Sequence, residues 1–475
     1  MRVAGRIMQC LVVPIFCAAL LTGGSAVRAG HTPATENSTV PVRNVGRLAP
    51  DTAPDLAVRL QALFGQHSVL AADLMRSRIR GDDDFVQAAN AALGRNTEAM
   101  VDLMARLFGS DMVGEFGPMW TEHVVELVAY ASAVANRDDA AREHAREELV
   151  EYEGELSAYL AGLSDGRLDG QAAHHALAAH VGHLTEQADA YAAGDWATAD
   201  RIYREGYRHL YDVGFVLADA LLPAVERPAL REPVWRLRSQ LGRVLAEHVV
   251  LVEHVTRAAV GNTPDFDAAA SMINGNTRDL VAAMSALFGT ATARDFREIW
   301  GDHVELLVAY SGALARGDQG AQARARKGLQ GYEGQIAEFL SDATGDRLTA
   351  TRLATAFAGH DDMLLRHADA FAARDFVAAH DIAYAAYEHE FDLAREMADA
   401  FGATVGTRLP RGGAQTGLGG LATQESAAGE GGTRAGAARE SGTPVGAARG
   451  GGTRAGAAHD GGGHGSGAGT EGVGG

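Results

Sequence analysis

The chain has 475 residues and carries 42 basic against 61 acidic side chains, a formal net charge of −19. This acidic balance argues against nucleic acid and anionic membranes as partners, because both repel an acidic surface. The two cysteines, Cys10 and Cys17, lie within the first 29 residues, so the rest of the chain can form neither a disulfide nor a thiolate metal site.

The first 29 residues are typical of a secretory signal peptide. Arg2 and Arg6 precede an apolar run over 7–21, and residues 27–29 form a small-residue cleavage site. We therefore predict export to a secreted or extracytoplasmic (cell-envelope) location, with an uncleaved membrane anchor as the alternative. Cleavage would leave 39 basic and 61 acidic residues, a net charge near −22. No later segment approaches about 18 uninterrupted apolar residues, so no membrane span is expected after cleavage.

The two ends of the chain are predicted to lie outside any folded core. Residues 30–50 contain three prolines among polar residues and are expected to form an extended leader. Residues 405–475 are dominated by glycine and alanine, and the heptapeptide at 432–438 recurs at 452–458. Such a segment buries too little apolar surface to offset its ordering entropy, so we expect a disordered tail.

The body of the chain contains an internal duplication, because many residues recur 180 positions later. The matching pairs are Phe116 with Phe296, Trp120 with Trp300, Tyr130 with Tyr310, Asp195 with Asp375, and the triplets Leu107-Phe108-Gly109 with Leu287-Phe288-Gly289 and Tyr152-Glu153-Gly154 with Tyr332-Glu333-Gly334. Self-similarity at one offset indicates a repeated module. Prolines at 223, 228 and 233 mark the join. We therefore predict one helical module over 51–223 and a second over 233–404.

Each module is predicted to be all-α, with about six helices. In the first module apolar residues recur at steps of three and four, which places helices near 52–79, 84–108, 111–136, 138–163, 170–193 and 196–222. No stretch alternates with the period of a β-strand. Short links favour antiparallel neighbours, so the expected fold is two tandem antiparallel helical bundles.

Four histidines recur at equivalent places, on the first, third, fifth and sixth helices of each module. The pairs are His67 with His248, His123 with His303, His180 with His360, and His209 with His389. Each lies on the apolar stripe of its helix, as His67 does between Leu63 and Leu70, so all eight are predicted to face the core. Six histidines without a counterpart are interpreted as surface or incidental residues: His174, His175, His183, His254, His367 and His380.

A transition-metal site in each module is one interpretation of the repeated histidines. Each lies near the middle of its predicted helix, and midpoints share a level in an antiparallel bundle, so four imidazoles could converge on one ion. Neutral imidazole suits copper, zinc or iron. The alternative is an extracellular or cell-envelope interaction protein without metal, whose histidines serve only as hydrogen-bond ties in the core.

Signatures of catalysis are missing from the sequence. The Glu-x-x-His spacing of carboxylate-bridged di-iron bundles, the His-Glu-x-x-His motif and the Gly-x-Ser-x-Gly elbow do not occur. The single lysine, Lys327, lies in a charged helix and provides no P-loop. An enzyme is therefore the weakest expectation, and no catalytic residue is predicted. The leading expectation is an exported binding module.

The body of the chain resembles uncharacterised secreted bacterial helical-repeat proteins, some found alongside copper amine oxidase-like N-terminal domains. The residues that carry the resemblance are Glu247-His248, Asp265-Phe266, Asn276-Thr277, Leu287-Phe288-Gly289, Phe296, Trp300-x-x-His303, Tyr332 and His360. The resemblance covers about 52–402 and implies an exported, duplicated helical module without an established activity. The first module departs from it at Gln66, where the second has Glu247. If Glu247 supports His248, the first site is expected to be the weaker one.

Overall fold

Nearly all of the described chain is α-helical. The computed structural model describes residues 52–110 and 113–406, apart from the side chain of Phe108. Within these residues there are twelve α-helices, one short 3-10 helix and no β-strand, so the predicted all-α class is confirmed. The signal peptide predicted at 1–29, the leader at 30–50 and the tail beyond residue 406 lie outside the described residues.

The helices fall into two sets of six. The first half contains α1 (Ala53–Arg80), α2 (Asp83–Phe108), α3 (Phe116–Asn136), α4 (Asp139–Leu163), α5 (Gly170–Ala192) and α6 (Trp196–Leu221). The 3-10 helix Arg227–Arg231 joins it to the second half. The second half contains α7 (Pro233–Gly261), α8 (Phe266–Phe288), α9 (Thr290–Ala315), α10 (Gln319–Thr344), α11 (Ala350–Ala372) and α12 (Phe376–Val405).

The predicted helix ends agree with the structure except at one place. Five of the six helices predicted for the first module match to within one residue at each end. The third begins at residue 116 rather than 111, because residues 113–115 form a turn. Equivalent aspartates begin equivalent helices: the side chain of Asp138 accepts a hydrogen bond from the Ala141 amide, and that of Asp318 from the Ala321 amide. These N-caps satisfy backbone donors that the first turn leaves free.

One central helix organises each half. Helix α1 packs against α2, α3, α5 and α6, and α7 packs against α8, α9, α11 and α12. Five consecutive residues of α1, Gly65 to Val69, are buried, so the helix is covered on every side at its midpoint. A helix that is covered all round cannot point a polar side chain at solvent. Polar residues at the middle of α1 and α7 must therefore find partners inside the protein.

The two halves belong to one compact unit and meet through equivalent surfaces. Helix α6 packs on α8 and α12 packs on α2, which are equivalent pairs. The Tyr207 hydroxyl donates to the Arg243 carbonyl at 3.0 Å, and its counterpart Tyr387 donates to the Ala62 carbonyl at 2.9 Å. The interface therefore repeats its contacts in both directions, as a symmetric dimer does.

Charged groups are buried beside this interface. Arg76 of α1 is 1% exposed and donates to Gln187, to the Ala199 carbonyl and, at 2.7 Å, to Asp200. Its counterpart Arg257 donates to Asp73 of the other half at 2.8 Å. Each guanidinium is thus paired inside the protein, which offsets its desolvation.

Three histidines interpreted as surface or incidental are buried: His254, His367 and His380. The surface interpretation is wrong for these residues. His254 lies 3.5 Å from an Asp200 oxygen, and the His380 ring packs on Phe85 of the other half at 4.9 Å between centroids. Periodicity within one module cannot reveal a face that is covered by the second module.

No helix in the described ranges combines the length and the hydropathy that crossing a membrane requires.

We predict that Gly214→Ala destabilises the protein by about 1–3 kcal/mol, the usual cost of overpacking. A Cβ atom at Gly214 of α6 would lie 2.7 Å from the Gln61 Cα of α1, so the two helix backbones would have to separate. The control is Gly154→Ala, at an exposed position of α4 with no atom within 4 Å of the new Cβ. This change should stabilise the helix by about 0.5–1 kcal/mol. Denaturant unfolding measures both, and equal stability of the two variants would contradict the close α1–α6 packing.

Candidate metal centre

The structure brings together three of the four predicted histidines in each half. His67 of α1, His123 of α3 and His180 of α5 form the first triad, and their ligand nitrogens lie within 4.8 Å of one another. The second triad, at equivalent positions on α7, α9 and α11, meets the same limit and consists of His248, His303 and His360. All six side chains are buried. The expectation that these residues share one level of the bundle therefore agrees with their positions.

The imidazoles of each triad point their ring nitrogens at one another. The Nε2 atoms of His67 and His123 are 3.1 Å apart, and those of His248 and His303 are 3.4 Å apart. Three nitrogens bound to one zinc ion at about 2.0–2.1 Å lie roughly 3.3 Å from each other. The two closest pairs thus already have the separation that a shared ion imposes.

Aromatic residues enclose each triad. The Trp120 ring lies 4.6 Å from His67 between centroids, and the Tyr152 ring stacks on His123 at 4.5 Å and 12°. Their counterparts Trp300 and Tyr332 hold the same places beside the second triad. These walls keep water away from the imidazoles and hold the rings in fixed orientations.

The fourth histidine of each half lies outside the triad. His209 of α6 is half-buried, and its Nε2 is 2.8 Å from the Ala176 carbonyl of α5, to which it donates. Its counterpart His389 of α12 is also half-buried, and its Nε2 has no hydrogen-bond partner among the described residues. The apolar spacing predicts that His209 and His389 face inward, but it cannot predict which residues of the neighbouring helices they contact. The grouped set in each half is therefore three histidines rather than four.

Burial keeps the first triad neutral. It lowers the pKa of His67 and of His180, with a further lowering from the neighbouring imidazoles. Burial also lowers the pKa of His123 to about 3. Neutral imidazole carries the lone pair that a metal ion requires. Nevertheless the Nδ1 atoms of His67 and His123 and both ring nitrogens of His180 lack a hydrogen-bond partner in the described part of the chain.

Carboxylates support the second triad. The Nδ1 of His360 donates to Glu390 at 2.7 Å, so in the neutral ring the proton is on Nδ1 and the Nε2 lone pair is free. That Nε2 is buried and has no partner among the described residues. Burial lowers the pKa of His360, but the Glu390 carboxylate outweighs this effect, so the pKa is raised. An oxygen of Asp361 lies 3.3 Å from the Nδ1 of His303, and burial raises the pKa of Asp361 to about 7.

Asparagines of the second helix of each half brace the first histidine of each triad. The Asn96 amide donates to the Leu63 carbonyl and to Gln66, both at 3.0 Å. Asn96 also contacts His67, and this contact raises the pKa of the histidine against the larger lowering by burial. Asn276 makes the equivalent contacts with Val244, Glu247 and His248. Each amide thus links the second helix of its half to the central helix next to the imidazole.

Glu247 reaches His248 only through Asn276. The Glu247 carboxylate receives hydrogen bonds from Arg204 and Arg208 of the first half, at 2.7–3.1 Å, besides the one from the asparagine. The expected support of His248 by Glu247 is therefore indirect, and its charge is balanced by the two arginines.

The two carboxylates that touch the second triad, Asp361 and Glu390, could not be predicted from the duplication, because each occurs in one copy only. The counterpart of Asp361 is Val181, and that of Glu390 is Leu210. A usable signal was present: a carboxylate occupies a position where the other copy has an apolar residue on the core stripe. Such a residue needs a polar partner in the interior.

No protein-family model, no curated protein and no solved structure matches this chain. The resemblance to secreted helical-repeat proteins and the export inferred from the first 29 residues therefore stay predictions.

We predict that the metal-free protein loses stability as the pH falls below about 6.5. The triad histidines of the first half have folded pKa values below that of the unfolded chain. The unfolded chain therefore takes up protons that the folded protein refuses, and stability falls by about 1.4 kcal/mol per pH unit for each such histidine. For His123 this window extends down to about pH 3.

His123→Phe tests this dependence, because it replaces the imidazole with a ring that does not titrate. The variant should lose stability less steeply than the unaltered protein between pH 6 and 4, in urea unfolding series. His175→Gln, at an exposed histidine, should leave the slope unchanged. An identical slope in the His123→Phe protein would show that His123 does not titrate as a buried neutral group.

Proposed function

We propose that this protein is an exported binding protein that holds one transition-metal ion in each half. The ligands are His67, His123 and His180 in the first half and His248, His303 and His360 in the second. The observation that carries the proposal is the convergence of three buried imidazoles, twice, with ligand nitrogens within 4.8 Å of one another. Bundle interiors are a common place for such centres, since facing helices aim their side chains inward.

Unpaired nitrogens favour a metal over hydrogen-bond ties. A buried polar atom without a partner costs about 1–3 kcal/mol, so the interior of a stable protein contains few of them. His180 has two such atoms, and His67 and His123 have one each among the described residues. An ion between the three rings would take up one of the two unpaired nitrogens of His180, whereas it would meet the Nε2 atoms of His67 and His123 rather than their unpaired Nδ1 atoms. The His67–His123 contact alone leaves His180 without a role.

The ligand set suits copper, zinc or iron. Imidazole binds all three, and three protein ligands leave a further position for water or for another donor. Because both triads are deeply buried, exchange of substrate is hindered, and retention of the ion is favoured over turnover. We therefore place the protein among binding proteins rather than enzymes.

The second candidate is an extracellular or cell-envelope interaction protein whose histidines only tie helices together. Two contacts favour it: the hydrogen bond from His360 to Glu390, and the one from His209 to the Ala176 carbonyl. This second candidate leaves the ring nitrogens of His180 without a partner. It also does not explain why three imidazoles meet in each half.

Metal stoichiometry tests the proposal. Untagged, metal-free protein should bind two equivalents of Zn²⁺ in equilibrium dialysis and should melt at a higher temperature with the ion, because ligand binding stabilises the native state. His123→Ala and His303→Ala should each retain one equivalent, and the double variant should retain none.

The matched control is the His209→Ala/His389→Ala double variant, which removes two repeated histidines that lie outside the triads and should still bind two equivalents. Circular dichroism of each metal-free variant checks that it folds. The proposal is wrong if the unaltered protein binds none of zinc, copper and iron, or if the His123→Ala/His303→Ala protein keeps both equivalents.

A further inference from the structure

The two triads are alike in their histidines and differ in the charge around them. In the second half, Asp361 and Glu390 are each 1% exposed and lie against His303 and His360. At the equivalent positions the first half has Val181 and Leu210, which are buried apolar residues. The duplicated chain therefore provides the same ligands in two different electrostatic settings.

The first triad has no carboxylate beside it among the described residues. Burial, neighbouring imidazoles, Asn96 and the Trp120 backbone account for the environment of its three rings. Two carboxylates contact the second triad, at 2.7 Å from His360 and 3.3 Å from His303. Glu253 also acts on His360, but burial raises the pKa of its carboxyl group to about 8 and so favours its neutral form. Glu247 adds no net charge there, because Arg204 and Arg208 hold it.

The charge of a bound ion must be balanced where water is excluded. Three neutral imidazoles add no charge, so a divalent ion in the first triad would leave two positive charges in an apolar interior, at a large desolvation cost. A monovalent ion in the same place would leave only one positive charge. In the second triad, Asp361 and Glu390 lie against two of the ligands and can supply compensating negative charge, because a cation bound nearby favours the ionised form of each carboxyl group.

On this basis, and resting on the proposed function, we propose that the two centres select ions of different charge. The second centre, with Asp361 and Glu390, is a site for a divalent ion such as Zn²⁺. The first centre, with Val181 and Leu210, favours a monovalent transition ion, for which Cu⁺ is the imidazole-binding candidate.

The orientation of the ligands adds to the difference in ion binding between the two centres. Glu390 accepts the Nδ1 proton of His360, so that histidine presents its Nε2 to the ion in one tautomer. The counterpart His180 has no partner on either nitrogen in the described residues, so its tautomer is not determined by its surroundings. The second centre is therefore pre-organised where the first is not.

Single-centre proteins separate the two sites. His303→Ala leaves only the first centre, and His123→Ala leaves only the second. Zn²⁺ affinity is measured by competition with a chelator, and Cu⁺ affinity by competition under anaerobic, reducing conditions. We expect the second centre to bind Zn²⁺ about 10–100-fold more tightly than the first, the usual effect of outer carboxylates on a metal site. For Cu⁺, the difference in affinity between the two centres should be smaller than for Zn²⁺, or the first centre should bind more tightly.

Exchanging residues between the copies tests the cause. In the His123→Ala protein, Asp361→Val with Glu390→Leu installs the residues of the first half and should lower Zn²⁺ affinity about 10–100-fold, with a smaller effect on Cu⁺. Asp361→Asn with Glu390→Gln removes both carboxylate charges but keeps the side chains nearly the same shape. This variant is used if the protein with Asp361→Val and Glu390→Leu does not fold. Glu338→Gln, at an exposed carboxylate of α10, is the matched control and should change neither affinity.

The outcomes are distinguishable. Equal Zn²⁺-to-Cu⁺ ratios at the two centres, or Zn²⁺ binding unaffected by loss of both carboxylates, would overturn the charge-selection proposal and leave metal binding standing. Absence of binding of either ion to either single-centre protein would overturn the proposed function itself.

Discussion

Helices α1 and α7 are buried on every side at their midpoints, and this burial determines where the polar groups of each half can lie. Each of these helices is surrounded by four others of its own half. A histidine at the midpoint of such a helix cannot reach water, so its nitrogens must be satisfied inside the protein. His67 and His248 occupy these midpoints, and the two imidazoles that meet each of them come from the surrounding helices. The triads thus follow from the architecture together with the placement of one polar residue.

The duplication explains how this architecture is stabilised without a disulfide in the described part of the chain. Each half covers part of its partner through equivalent contacts, such as those of Tyr207 and Tyr387 with backbone carbonyls. At the same interface Tyr211 and its counterpart Phe391 stack on each other at 6.3 Å and 11°. Apolar burial supplies most of the stability. The buried ion pairs Arg76–Asp200 and Arg257–Asp73 lie beside the interface and contribute to the specific fit between the halves.

Much of the fold could be predicted from the sequence, because local signals set it. Apolar spacing and capping aspartates such as Asp138 place the helices, and the offset of 180 places the join. The same spacing found His67, His123 and His180, which lie on strongly apolar stripes. It could not separate them from His209, because the angle at which α6 meets α5 is a tertiary property. Asp361 and Glu390 could not be predicted from the duplication because they occur in one copy only. The burial of His254 could not be predicted because the other half covers it.

Bound ions can be located by anomalous diffraction from crystals of the protein loaded with Zn²⁺, recorded on both sides of the zinc absorption edge. We expect a peak amid the three imidazoles of the second triad, with nitrogen ligands at about 2.0–2.1 Å, and a weaker peak at the first triad. Peaks confined to carboxylates on the protein surface, with both triads empty at saturating Zn²⁺, would contradict this expectation.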